Sequence, residues 1–250
     1  MKWTAVATFH AMSEAGGNRI FDALAAAGGA PFHLGLATGN TMLELYRLLA
    51  EKINSARLDL TQLHTWNLDE YAGASGKSVP PEHPLSYRKY MAENFFQRLD
   101  PALGTPCCHF PEEPERFDAE LAGHGGLDFQ LLGIGFNGHI AFNEPQPGAD
   151  REAFGALPSR LIQLAELTIE TNRKLTANGA NIVPTQAFTM GMKQILGAKR
   201  HLLLACFPEQ RAPLGEIRKG TVTPVLPASY LLETPDCEII YTKDTIPELP

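Results

Sequence analysis

Asn137, Gly138 and His139, followed by Asn143 and Glu144, put an imidazole, a carboxylate and carboxamides on one short stretch, NGHIAFNEP. An imidazole beside a carboxylate can move protons near neutral pH. The competing reading is that His139 only bonds backbone. Asp69 and Glu70 form a second cluster at the end of the apolar run LHTWNL. They read either as an acid–base group or as a solvated acidic pair. Side chains alternate along extended backbone, so only one of the two needs to face a cleft. Thr38, Gly39, Asn40 and Thr41 stand where an apolar run meets a helical pattern. Backbone N–H groups at a helix start can hold a phosphate. The alternative there is a glycine turn with Asn40 or Thr41 as the helix cap. Arg173 and Arg211 are isolated cations in neutral stretches. They read as surface residues unless a phosphate recruits them, since arginine pairs bidentately with such anions.

Gly133-Ile-Gly135-Phe-Asn-Gly138 also fits the dinucleotide pattern G-x-G-x-x-G. That fingerprint requires a helix opening directly on the glycines. Pro145 and Pro147 follow instead, so nicotinamide or flavin binding is rejected. No metal or redox cofactor is expected. Cys107, Cys108, Cys206 and Cys237 show neither C-x-x-C nor a Cys/His zinc spacing. They are read as reduced structural thiols, and the remaining histidines as surface or structural residues. The formal charge of −7 comes without any basic block, which argues against nucleic acid as a partner. No run approaches a membrane span, and the N-terminus lacks a secretory h-region. A cytoplasmic location is therefore expected.

Strands are predicted at 32–37, 63–68, 127–134, 201–206 and 237–241. Helices are predicted at 13–27, 42–53, 86–99, 185–196 and 208–217, with an irregular loop at 145–158. Strands alternate with helices, and several strands are continuous apolar runs, as when both faces are covered. No linker divides the chain. The expected fold is α/β, one doubly wound, mostly parallel sheet with helices on both faces, forming a single domain over 1–250. Ligands in such folds bind beyond the carboxyl ends of the strands. The three clusters above all fall there.

The blocks GLATGNT, WNLDEYAG, EHPLSYRKYM, LLGIGFNGHIAFNEP, TNR and FTMGMKQILGAK, in that order, resemble the glucosamine-6-phosphate deaminase family. The resemblance runs from about Gly35 to Arg211. It implies conversion of an amino-sugar 6-phosphate and water to a ketose 6-phosphate and ammonia, without a cofactor. By that resemblance Asp69 matches the base acting at C1–C2. His139 matches the acid–base group of ring opening, supported by Glu144. Thr38, Gly39, Asn40, Thr41, Arg173 and Arg211 match phosphate-contacting positions, and Glu70 and Gly138 belong to the same blocks. Asn137 stands where part of the family has Asp, and the connection after Tyr71 is longer than usual. The substrate is either the glucosamine or the galactosamine epimer. A 6-phosphogluconolactonase-type hydrolase and a non-catalytic sugar-phosphate sensor are the alternatives. Homo-oligomerisation is open, because related enzymes differ.

Overall fold

A computed structural model describes residues 1–175 and 183–249. Five central strands follow the apolar runs: β2 (Phe32–Leu36), β3 (Leu63–Asn67), β6 (Phe129–Leu132), β9 (His201–Ala205) and β10 (Cys237–Thr242). With β1 (Lys2–Val6) and β5 (Cys107–His109) at the edges, they form a parallel sheet ordered β1-β10-β9-β6-β2-β3-β5. Every residue of β2, β6 and β9 is buried, as expected for strands covered on both faces. The chain starts at the edge strand β1, crosses to β2, winds outward through β3 to β5, returns at β6, and winds the other way through β9 to β10, which fills the gap beside β1. The order therefore reverses between β2 and β6, and a crevice opens where their connections part.

Helix α1 (Phe9–Ala26) starts on Thr8, whose hydroxyl accepts from the Ala11 N–H. Helix α2 (Leu43–Ala56) buries Leu45, Tyr46, Leu49, Ala50 and Ile53, one face at helical spacing. The predicted helices at 13–27 and 42–53 are thus present with shifted ends. Helix α3 (Tyr87–Asn94) is shorter than the predicted 86–99 and continues into a 3-10 turn at Phe96–Arg98. Helix α4 (Pro114–Gly123) and the five-residue α5 (Arg151–Gly155) appear where the sequence pattern was weak.

A second sheet is an addition to the expected architecture. At Leu68 the chain leaves the large sheet and enters β4 (Asp69–Ala72), which pairs antiparallel with β8 (Gln186–Thr189). Strand β7 (Arg160–Gln163) pairs with the other edge of β8. The predicted helix at 185–196 is corrected here. Its first half is β8, and only α7 (Met192–Leu196) is helical. Ala187, Phe188 and Thr189 are buried between two partner strands, so tertiary pairing overrides the helical reading of a short apolar run. This sheet has a core of its own, built from Tyr71, Val79, Leu85, Phe142, Leu164, Val183 and Ala187. Helix α6 (Glu166–Leu175) follows β7, and α8 (Arg211–Arg218) follows β9.

The two edge strands of the large sheet differ in support. Strand β1 pairs with β10, and Glu238 collects the Lys2 ammonium at 2.9 Å, the Thr4 hydroxyl at 2.6 Å and the Arg19 guanidinium at 2.9 Å. Strand β5 has three residues and pairs with β3 alone. Among the described residues, no helix is long and apolar enough to cross a membrane.

Candidate active site

A cleft lies beyond the carboxyl ends of β9, β6, β2 and β3. Its walls are the connection after β2 (Thr38–Thr41), Leu68 and Asp69 after β3, the loop after β6 (Gly133 to Phe142) and Phe207 with Gln210 after β9. Tyr87 of α3 and Leu167, Thr168, Thr171, Asn172 and Leu175 of α6 close the remaining side. The three clusters singled out in the sequence therefore meet in one place.

Asp69 is the first residue of β4, and the strand register sets it opposite Thr189. The residue is 7% exposed. The Phe142 N–H reaches both Asp69 Oδ1 at 3.2 Å and Thr189 Oγ1 at 3.0 Å. Burial pushes the Asp69 carboxyl up to about 7, against the Thr189 hydroxyl, the His139 imidazole and the Phe142 N–H, which pull it down. A carboxyl poised there exchanges protons readily at neutral pH.

Glu70 points the other way, as alternation requires. It is fully buried and does not line the cleft. Its oxygens accept from the N–H groups of Tyr71 (2.8 Å), Tyr87 (2.9 Å) and Arg88 (2.9 Å) and from the Ser86 hydroxyl (3.0 Å). A carboxylate on the first N–H groups of α3 satisfies orphan donors and complements the helix dipole. Substrate contact by Glu70 is therefore replaced by a structural role: it fixes the start of α3, and with it Tyr87.

His139 is held by its own loop. The Gly135 N–H donates to His139 O at 2.9 Å, the Gly138 N–H donates to Gly135 O at 2.9 Å, and the His139 N–H donates to Asn137 Oδ1 at 3.2 Å. Gly138 sits behind the cleft wall with φ of 86°. Asn137 then bridges, donating from Nδ2 to Glu144 Oε2 at 2.7 Å. His139 Nδ1 stands 3.4 Å from the same oxygen, a close contact and not an aligned hydrogen bond. The Thr168 hydroxyl donates to the other Glu144 oxygen. Burial alone would raise the Glu144 carboxyl. His139, Thr168 and Asn137 outweigh it and hold the carboxyl down at about 2. Glu144 is thus a fixed anion behind the imidazole, and Asn137 orients both partners. Ala141, between them and the Phe142 N–H, has φ of 51°, a left-handed conformation that costs an L-residue about 1–2 kcal/mol.

The imidazole lies directly over Gly135. A Cβ built there would come 2.3–2.5 Å from three ring atoms of His139. Gly135→Ala should therefore leave the fold intact, displace the ring and lower kcat about 10²-fold, the scale of a misplaced reacting group. Circular dichroism with steady-state kinetics checks this, and wild-type kcat in the variant would remove His139 from the reaction.

Thr38 to Thr41 line the cleft as a turn. Gly39 adopts φ of 104°, and Asn40–Met42 form a 3-10 turn that runs into α2. The Tyr90 hydroxyl pins the turn through Gly39 O at 2.7 Å. Neither arginine lines the cleft. Arg173 is exposed on α6, next to Asn172, and Arg211 opens α8 with its Nε donating to Glu248 O at 2.6 Å. The described lining contains no Lys or Arg. Sequence reasoning missed Thr189, Thr168, Asn172 and Tyr87. Asn172 donates to the Tyr71 hydroxyl at 2.7 Å. Its place in the TNR block next to Arg173 was the available signal.

Residues 6–151 match the family described as glucosamine-6-phosphate isomerases/6-phosphogluconolactonase. The chain is 36% identical over 225 residues to the glucosamine-6-phosphate deaminase of Thermoanaerobacter pseudethanolicus, spanning 87% of this chain and 83% of that one. It is 37% identical over 217 residues to glucosamine-6-phosphate deaminase 1 of Giardia intestinalis, with 84% and 77% covered. A solved monomeric glucosamine-6-phosphate deaminase superposes with a TM-score of 0.85 at 29% identity over 98% of both chains. The 6-phosphogluconolactonase of Trypanosoma cruzi superposes at 0.72 with 18% identity, a likeness of fold alone. Identity and fold across most of the chain agree with the family match, and the chain belongs to the glucosamine-6-phosphate isomerase/6-phosphogluconolactonase family.

Proposed function

We propose that the protein converts a 2-amino-2-deoxyhexose 6-phosphate and water to a ketose 6-phosphate and ammonia. The observation that carries this is the pair of proton-handling groups facing one cleft: Asp69, buried with a carboxyl near 7, and His139, backed by the Glu144 anion. Ring opening needs a donor to the ring oxygen, and His139 supplies it. Asp69 then takes the C2 proton from the open aldehyde and returns it at C1, while the C1 oxygen gains a proton and the amino nitrogen gives one up. This leaves an imine at C2. Water adds to the imine, ammonia departs, and the ketone remains.

The phosphate sits on the Thr38–Thr41 turn. There the N–H groups at the start of the turn and the dipole of α2 favour an anion. Arg173 and Arg211 directly follow the cleft-lining residues Asn172 and Gln210 in the chain and supply the positive charge nearest to them in sequence. Tyr87 and Phe142 give the sugar an aromatic wall.

Ammonia and ketose phosphate release, measured in parallel on glucosamine 6-phosphate, galactosamine 6-phosphate and unphosphorylated glucosamine, tests the reading. Turnover of glucosamine 6-phosphate is expected, with unphosphorylated glucosamine a very poor substrate. Hydrolysis of a 6-phosphogluconolactone without ammonia release from either amino sugar would replace the deaminase reading with a lactonase. Equal turnover of glucosamine and its 6-phosphate would remove the phosphate turn from the account.

A further inference from the structure

A second constellation of ionisable groups lies outside the cleft lining, on one face of the sheet's β3–β5 edge. The edge strand β5 pairs His64 with Cys107 and Trp66 with His109. Paired residues share a face and side chains alternate along each strand. His64, Trp66, Cys107 and His109 therefore project to one side, the side where Phe117 of α4 meets Trp66 edge-on. One donor atom each from His64, Cys107 and His109 lies within 4.8 Å of the other two. His109 Nε2 is 3.4 Å from His64 Nδ1 and 3.4 Å from Cys107 Sγ. In a tetrahedral zinc site, with Zn–N of about 2.0–2.1 Å and Zn–S of about 2.3 Å, neighbouring donors stand roughly 3.3–3.6 Å apart. Two of the three separations already have that value.

His109 is also oriented for the task. Its ring stacks on Trp66, with centroids 3.8 Å apart and planes 5° from parallel, and its Nδ1 faces Glu120 Oε2 at 3.6 Å. A carboxylate on the far nitrogen fixes a metal-binding imidazole and leaves the other nitrogen for the ion. Hydrogen bonding alone satisfies this cluster poorly, because Nε2 of His109 has one lone pair or one proton for two neighbours. Cys107 is exposed, so an ion can enter.

We propose that His64, Cys107 and His109 bind a divalent transition ion of zinc type, with water in the fourth position. The ion ties the three-residue strand β5 to β3, and through Glu120 it ties in α4. Linear spacing hides such a site, because its ligands come from two strands that meet only in the folded sheet.

The test uses the whole protein, stripped with a chelator and titrated with Co(II) alone. One equivalent should bind, with the intense visible absorption of tetrahedral cobalt and a near-ultraviolet thiolate-to-cobalt band. Zn(II) should bleach both and raise the unfolding midpoint. Cys107→Ser should lose the thiolate band, His64→Gln should bind cobalt at least about tenfold more weakly, and Cys108→Ser should keep both properties. Circular dichroism establishes that each variant is folded, and ammonia release by Cys107→Ser should match the wild type. The proposal is overturned if folded wild-type protein binds no cobalt in excess metal. A thiolate band that survives Cys107→Ser, or one lost only in Cys108→Ser, overturns it equally.

Discussion

Asp69→Asn should give a folded protein whose turnover is lower by about 10²–10⁴-fold, the usual contribution of a positioned base. Asn fills the same space opposite Thr189 and can still accept from the Phe142 N–H, so substrate binding should persist. Exchange of the C2 proton with solvent deuterium, followed by NMR, should disappear with turnover. Near-normal exchange in the folded variant would take the base role away from Asp69. The stability of the two proteins should also diverge with pH. Burial raises the folded-state carboxyl to about 7, from about 3.9 in an unfolded chain. The stability this contributes is fully present below the unfolded value and is lost as pH rises through about 7. Asn has no such dependence. The variant's unfolding midpoint should therefore gain on the wild type as pH rises from about 4 to about 7. It should keep that gain at higher pH.

Glu144→Gln should lower kcat on the cyclic substrate by about 10²-fold or more while leaving KM nearly unchanged. Gln keeps one acceptor for the Asn137 amide and can turn its NH2 to the Thr168 hydroxyl, which accepts as well as donates, so the loop should keep its shape. It cannot supply the negative charge behind His139. Asn137 cannot replace that charge, being a neutral bridge whose oxygen and nitrogen are already engaged. The pH signature has the opposite sign to that of Asp69. The Glu144 carboxyl is held down at about 2, so its stabilising contribution exists above the unfolded value of about 4.3 and is lost as pH falls toward 2. The variant should be less stable than the wild type at neutral pH and equal to it near pH 2. Identical pH–rate profiles for the two proteins at saturating substrate would leave His139 working without an acidic partner.

How much of this was readable in the sequence depended on whether neighbours in space were neighbours in the chain. Thr38–Thr41, Asp69 and the Asn137–Glu144 loop each follow an apolar strand directly, so their common position at one sheet edge could be inferred. The second sheet could not. Gln186–Thr189 is a short apolar stretch continuous with a helical pattern, and only its two partner strands decide its conformation. Thr189 stayed hidden for the same reason, since its contact with Asp69 is a matter of register. Glu70 looked equivalent to Asp69 until backbone direction assigned one to the cleft and the other to the start of α3. Arg173 and Arg211 carried no pattern that tells a residue of the cleft wall from its neighbour in the chain; Asn172 and Gln210 beside them line the cleft, and the arginines do not.

The pairing of β1 with β10 bears on how the chain is made. Thr4 and Glu238, bonded in the finished sheet, are 234 residues apart. At a synthesis rate of about 5–20 residues per second, β1 waits on the order of 10–50 s for its partner strand. During that time β2 and β3 can already pair, since they lie close together in sequence. The centre of the sheet is therefore free to assemble on the ribosome, whereas β1 remains an open strand with backbone groups available to other chains. Its five residues, KWTAV, begin with a lysine, a charge that discourages such mispairing until Glu238 emerges to bind it.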